Sequence, residues 1–550
     1  MNRLKTCIFV LVLSYGCFLN TGAQDITPNP PDTVQKTKVI LVHADKLFFD
    51  SDIDEQRQTM TGNVVFRHDS SFMYCDSAYL YDQDKLLEAF SNVRLEQGDT
   101  LFIYGDYLHY DSNIELARIR FNVRMVNIQQ DSSVVTLYTD SLDYDRKANI
   151  GYYFEGGRIV DAENILESAY GQYSPETKIA EFQDSVRLTN RNGVLSTDTL
   201  EYSTETKIAY IVSPSIIESD SGVVHSSKGW YNTQENTSLL LDRSVVYSGN
   251  RILTGDSLAY NRDLGYGEAF GNMFIIDTAR KVIMTGHYGF YEEKTDYAFA
   301  TDSACAIEYS QGDSLYIYAD TLEMITIDST SRVLRAIMGV RFYRYDIQGI
   351  CDSMRFTTAD SVMRMFGNYP VLWNEEQQLF GDTIIIYMAD STVDFVHVPS
   401  SAFVVQEVEP DFYNQLGGND LKAYFAGKNI EHINIDGNAE SIFLPIDQDR
   451  TMIGLNYTQS SYLSIWFREG KFNKLKTFPK TDGLMTPIPD LTTEQKTLNK
   501  FNWYDELRPV DRFDIFRFYN ERKKAKEKVE EEKVEEETEP EPVEPEPVEP

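Results

Sequence analysis

Cysteine is scarce, with five in 550 residues, and two of these, Cys7 and Cys17, fall within the first seventeen positions. The other three, Cys75, Cys305 and Cys351, are an odd, scattered set with no CxxC pair, which excludes a disulfide framework and argues against a zinc or redox centre. Basic residues are outnumbered, 51 Lys+Arg against 86 Asp+Glu, for a formal net charge of −35. So acidic a chain lacks the clustered cations that hold a phosphate backbone, so nucleic acid is not an expected partner. No apolar run reaches the ~20 residues needed to cross a bilayer as a helix. The seven histidines (43, 68, 109, 225, 287, 397 and 432) show no metal spacing, and GxSxG, HExxH and GxxxxGK[ST] are absent. No catalytic residue, metal or cofactor is expected, and the chain does not read as an enzyme. What is abundant is Tyr and Phe, 35 and 31, against 4 Trp. These residues suit pleated, half-buried surfaces.

Met1 to Ala23 reads as a secretory signal. Arg3 and Lys5 are followed by the apolar stretch Cys7 to Leu13 and by small residues at Thr21-Gly22-Ala23. A lipidated Cys17 is the alternative, with Ser14 and Tyr15 fitting a lipidation box poorly. Residues 24–37 form a lead-in.

From Lys38 the dominant signal is a repeat: Asp, then Ser or Thr, then alternating apolar residues ending in Tyr. Asp140-Ser-Leu-Asp-Tyr144, Asp198-Thr-Leu-Glu-Tyr202 and Asp256-Ser-Leu-Ala-Tyr260 are the clearest copies. Counting weaker copies, units begin at 45, 76, 106, 140, 169, 198, 227, 256, 287, 320, 352 and 382. A step of about 31 residues signals a stacked array. Each unit has a second half in which Ala precedes a Val-rich strand, as in Ala89-Phe-Ser-Asn-Val93 and Ala117-Arg-Ile-Arg-Phe-Asn-Val123. The period of two predicts half-buried strands, and residues 38–400 are expected to be all β. The position two after each start reads Leu142, Gly171, Leu200, Gly229, Leu258, Gly289, Leu322. The position two further on reads Tyr144, Tyr173, Tyr202, Tyr231, Tyr260, Tyr291, Met324. Alternation between consecutive units favours antiparallel neighbours over the equivalent rungs of a parallel β-helix. The glycines either even out packing volume or leave room for a guest.

This pattern resembles the OstA-like family, the β-jellyroll proteins of the lipopolysaccharide-transport bridge. The resemblance rests on the signal, the D-[ST]-L-x-Y strands, the A-x-x-x-x-[GN]-V strands and their recurrence over about residues 38–400, continuing to about 480. It implies an extended tandem-repeat jellyroll, a solenoid-like antiparallel array with an apolar interior that shields acyl chains of lipopolysaccharide or a related glycolipid. It further implies a periplasmic location, association with the outer membrane, and partners that are other jellyroll proteins of the pathway or further copies, joined end to end by edge strands. The inward positions expected to meet lipid are Leu142, Tyr144, Tyr173, Leu200, Tyr202, Tyr231, Leu258, Tyr260, Tyr291 and Leu322. The competing expectation is a structural or adhesive β-array with a dry interior that binds protein or polysaccharide outside; a β-helical polysaccharide-cleaving enzyme is a weaker third.

Other features carry less. The recurring Asp reads as turn chemistry rather than as a metal or catalytic row. Asp50-Ser-Asp-Ile-Asp54 lacks the glycine and distal Glu of a calcium loop. Gly265-Tyr-Gly-Glu-Ala-Phe-Gly271 is out of register for a dinucleotide loop. Cys75 and Cys351 stand where other units carry Gly or Ala, as small fillers. Residues 401–480 are expected to form a terminal β-element that caps the array, with a basic run (Arg468, Lys471, Lys474, Lys476, Lys480). Residues 481–528 are expected to be a linker and a helix over 509–528, with Val510, Phe513, Phe516 and Tyr519 as an apolar stripe. Residues 529–550 hold eleven Glu, one Lys and five Pro, a disordered composition.

Overall fold

The computed structural model describes residues 38–49, 57–310, 313–389, 392–427, 429–447, 451–468, 471–517 and 520–521. The signal and lead-in, the Asp50 to Asp54 stretch and the acidic tail lie outside them. Every strand pairing within them is antiparallel, and the strands join into one continuous ladder. The all-β array is therefore present, and the parallel-rung alternative is not.

The ladder is folded lengthwise into two facing layers. The long strands cross from one layer to the other through a corner in mid-strand, where the register slips. The slip falls on paired residues with positive φ, such as Gly62-Asn63, Ser91-Asn92, Phe121-Asn122 and Gly271-Asn272. Asn and Gly tolerate this left-handed geometry better than other residues, which explains the [GN]-V signature. The repeated Asp sits on the neighbouring strand opposite each corner and ties it down. Asn92 Nδ2 donates to Asp76 at 2.7 Å, Asn122 Nδ2 to Asp106 at 2.6 Å, and Asn272 Nδ2 to Asp256 at 2.8 Å. The backbone N–H groups of Asp45 and Asp256 bond the carbonyls of Gly62 and Gly271. The Asp row is thus a corner device, repeated because the corner repeats.

One layer carries the tyrosines and is called here the tyrosine layer. Its inward positions run strand to strand as Phe182, Leu200, Ile211, Gly229, Leu240 and Leu258. The next inward row alternates ring and small residue: Tyr144, Gly151, Tyr173, Ala180, Tyr202, Ala209, Tyr231, Ser238, Tyr260, Gly267, Tyr291, Ala298. A phenol between two small neighbours fills the layer without overlap. The alternating glycines follow the same logic. A Cβ on Gly171 would run into the Tyr153 ring, and one on Gly289 into the Met273 side chain. Their space is already used by the protein.

The facing layer supplies a second inward row: Phe66, Met73, Leu95, Ile103, Met125, Leu137, Ile159, Leu166, Leu188, Leu195, Ile217, Val224, Val246, Leu253, Ile275, Met284. Together the rows form one hydrophobic core from Met60 to Leu463. Residues 401–480 continue both layers through strands Asn429–Phe443, Gly454–Arg468 and Lys471–Phe478.

The chain then turns back. Residues 488–517 run as a strap over the outer surface of the facing layer, making a second core with Val371, Trp373, Phe380, Phe403 and Val405. Three buried glutamines grip it. Gln415 donates to the Lys496 carbonyl at 2.7 Å and accepts from Leu498 N–H at 2.8 Å. Gln378 does the same with Asn502 and Tyr504, both at 2.8 Å, and Gln348 accepts from Arg508.

Of the helix expected over 509–528, the described residues show a 3-10 turn, Asp514–Phe516, that runs on into helical residues at Arg517, Asn520 and Glu521. Residues 509–513 are not helical, and 518–519 and 522–528 lie outside the described residues. The anchors are the consecutive Ile515 and Phe516, packed with Cys305 and Tyr318, whereas Val510 and Phe513 are exposed. A helix presenting the 510–513–516 stripe would turn Ile515 away from the body. Tyr519 lies outside the described residues.

Candidate functional site: the seam between the layers

Opposite the corner line, the two layers meet along a second border. There the ring of each repeat tyrosine reaches out from the core, and its hydroxyl needs a partner. In successive units the partner comes from the end of a facing-layer strand. His68 Nδ1 lies 2.6 Å from the Tyr110 hydroxyl. Tyr144 donates to Gln97 at 2.9 Å, and Asn127 donates to Tyr173 at 2.8 Å. Tyr202 donates to Asp161 at 2.7 Å and accepts from Asn164 at 2.9 Å, while Lys207 Nζ lies 3.1 Å from the same carboxylate. We call these contacts clasps. Burial would raise the Asp161 carboxyl, but the bonds from Tyr202 and the backbone of Glu163 and Asn164, with the Lys207 charge, hold it below the ordinary range. Burial and the adjacent Asp161 charge push Tyr202 up strongly.

The direct clasps then fail. Among the described residues the Tyr231 hydroxyl bonds Asn236 of its own turn, at 3.5 Å, and the border is crossed there by Asn192, whose side-chain amide donates to that same Asn236 and whose carbonyl accepts from Arg262 at 2.7 Å. Tyr260 has no hydrogen-bonding side chain partner among the described residues. The clasps resume where Arg251 bonds the Tyr291 hydroxyl and Asp296, which also binds Arg332. The reason is the length of the opposing side chains. Where other facing strands end in His68, Gln97, Asn127 or Asp161, the strand Ser215–Ser219 ends in Ser219, and its neighbours offer Gly222 and Ser248. None of these can span the border.

Burial follows the clasps. In the inward row of the facing layer, the residues from Phe66 to Leu195 are at most 1% exposed. Ile217, Val224, Val246, Leu253 and Ile275 are each only partly buried. Met284 and Ile317 beyond them are again below 9%.

The structure places the ten expected inward residues along this interior. Leu142, Tyr144, Tyr173, Leu200, Tyr202, Leu258 and Leu322 are closed in the core, at 3% exposure or less. Tyr231, Tyr260 and Tyr291 are half-buried and border the unclasped stretch. The facing-layer partners were not singled out from sequence, because the polar ends His68, Gln97, Asn127 and Asp161 share no residue type. Their common signal is position, about 40 residues before the tyrosine each one meets. Cys75 and Cys351 are buried fillers, and burial pushes both thiols up to about 12. No helix among the described residues is long and apolar enough to cross a membrane.

A sandwich of antiparallel strands folded at repeated corners defines the class: a tandem-strand β-jellyroll array. Residues 36–193 and 176–251 match the family described as OstA-like protein. Among solved structures, LptH from Pseudomonas aeruginosa, described as the LptA homologous periplasmic component of the conserved lipopolysaccharide transport device, is similar at 10% identity. That match covers 22% of this chain and 82% of LptH, with a TM-score of 0.19. No curated protein matches the sequence.

Proposed function

We propose that the chain is an exported carrier of lipopolysaccharide or a related glycolipid, working in the periplasm, whose interior shields acyl chains during outer-membrane assembly. The observation that supports it most is the partly buried row Ile217, Val224, Val246, Leu253 and Ile275, an apolar inner face continuous with the core yet less covered than the rows on either side. Burying acyl methylenes there is worth roughly 0.8 kcal/mol each. The OstA-like match supports the same reading. Tyr231, Leu258, Tyr260 and Tyr291 are the expected lipid-facing residues nearest this row. Leu142, Tyr144, Tyr173, Leu200, Tyr202 and Leu322 would meet lipid only if the layers part.

Partners are proposed at the ends. Among the described residues the strands Ile40–His43 and Lys46–Phe49 pair only with Arg57–His68, and nothing described pairs with their outer edges. Leu47, Phe48 and Phe49 are more than half exposed. Such an edge favours strand addition by another jellyroll or a second copy.

The sealed core from Met60 to Ile211 favours the second reading, a structural or adhesive array, for that part of the chain. The deciding experiment is native mass spectrometry of the full chain purified from a Gram-negative envelope without detergent. A carrier retains a glycolipid mass; an array with a dry interior does not.

A further inference from the structure

We propose that the stretch of seam between the Arg262–Asn192 contact and the Tyr291 clasp is a lateral port, through which one aliphatic tail of an amphiphile passes between solvent and the interior. The inference rests on the carrier reading above and adds where the cargo crosses the wall.

The seam on either side is shut by side chains that reach across it, Asn192 and Arg262 on one side and Arg251 on the other, and the inner row behind the closed parts is buried. Between them the reach is missing at three successive mouth positions, Ser219, Gly222 and Ser248, and the Tyr260 hydroxyl is left without a side-chain partner. The partly buried inner row crosses five strands, a span of about 19 Å at the ordinary strand spacing, comparable to one extended fatty acyl chain. Its chemistry selects the occupant. All five side chains are branched aliphatics. The backbones of these strands are already bonded to neighbours on both sides. A peptide would therefore bury its N–H and C=O groups without partners, at a cost of a few kcal/mol each. An aliphatic tail has no such groups. The rim supplies hydroxyls from Ser219, Ser221, Ser248 and Tyr260, which suit a polar head that stays outside.

The structure also shows how to close the port. Ser219 occupies the same inward strand-end position as Asn127, which clasps Tyr173. Ser219→Asn is expected to clasp Tyr260, and Ser219→Ala serves as the control that adds no reach. The full chain, carrying a photoreactive residue at Val246 in the port or at Leu137 in the sealed core, is mixed with purified rough lipopolysaccharide. Cross-linking is followed in time. The expected result is early capture at Val246, slowed at least tenfold by Ser219→Asn and unchanged by Ser219→Ala, with later or no capture at Leu137. Hydrogen exchange on each variant confirms an intact ladder. Capture at Leu137 preceding Val246, or a Ser219→Asn variant that clasps Tyr260 by hydrogen exchange yet loads at the parent rate, overturns the port and leaves the carrier reading standing. No capture at either position overturns both.

Discussion

Removing a single hydroxyl should have opposite consequences at two chemically identical positions. Tyr202→Phe deletes the donor to Asp161 and the acceptor for Asn164 in a buried cluster. A hydrogen bond to a charged group is worth about 1.5–3 kcal/mol. Asp161 keeps Lys207 and the backbone N–H groups of Glu163 and Asn164, so the loss should sit in the middle of that range. A change of about 2 kcal/mol corresponds to roughly a thirtyfold rise in local opening. Tyr260→Phe deletes a hydroxyl with no side-chain partner and should stay within about 0.5 kcal/mol of the parent. The assay is native-state hydrogen exchange of the strands Gly193–Ser203 and Ser257–Asn261, because an array of repeats opens locally and a global midpoint blurs the site. The pH dependence adds a sign. The folded Asp161 carboxyl titrates below its unfolded value, so its contribution is full above about pH 4 and is lost as pH falls through the folded value. The stability gap between Tyr202→Phe and the parent, read from the same hydrogen exchange at each pH, should therefore narrow below about pH 4. Equal exchange penalties at Tyr202 and Tyr260, or a gap that widens in acid, would refute the account of the seam.

Asp76→Ala removes the carboxylate that holds Asn92 at its corner and should cost about 1–2 kcal/mol, read as faster exchange in Ser71–Tyr81 and Leu86–Gln97. Gln378→Leu leaves the Asn502 carbonyl and the Tyr504 N–H without their partners under the strap. At about 1–3 kcal/mol per stranded group, the strap should release and become cleavable by protease between 488 and 517 while the array stays protected. Gly171→Leu would drive a side chain into the Tyr153 ring and should cost at least the ~1–3 kcal/mol typical of overpacking, measured by exchange in Tyr170–Ser174.

The parts of the fold legible in the sequence are those that repeat. The Asp of each unit, the Asn or Gly before Val, and the Leu-x-Tyr alternation each recur because one corner and one inward row recur, so their spacing carried the signal. The strap did not repeat, and its residues 509–513, expected to be helical, are not. Its apolar residues at 510, 513 and 516 mimic a helical stripe, but the surface it meets takes the adjacent pair Ile515 and Phe516. The glutamines that grip it lie more than 80 positions away in sequence. The open stretch was hidden for another reason. From Ile216 to Met284 the facing strands carry apolar residues in adjacent pairs, such as Ile216-Ile217, Val223-Val224 and Ile252-Leu253. Strict alternation would have identified the inward member. A doublet does not, and the mouth beside it is marked only by small residues.

That doublet pattern bears on why the seam is open at one place. A strand apolar on both faces is expected where both are covered. Here the strap covers the outer surface from Ile515, beside Cys305 and Tyr318, onward to the C-terminal strands; among the described residues it makes no core with the strands from Ser215–Ser219 to Val282–Glu292. Those strands are therefore apolar on an outer face that the described strap residues do not cover and on an inner face the clasps do not close. If the array served only as a scaffold, a longer side chain at Ser219 would bury the row Ile217 to Ile275 at roughly 25 cal/mol per Å² of apolar surface removed from water. The interior rows on either side show that the fold accommodates such a closure without changing register. The opening thus arises from side chains too short to cross the seam, in a stretch whose apolar lining is as complete as that of the sealed core.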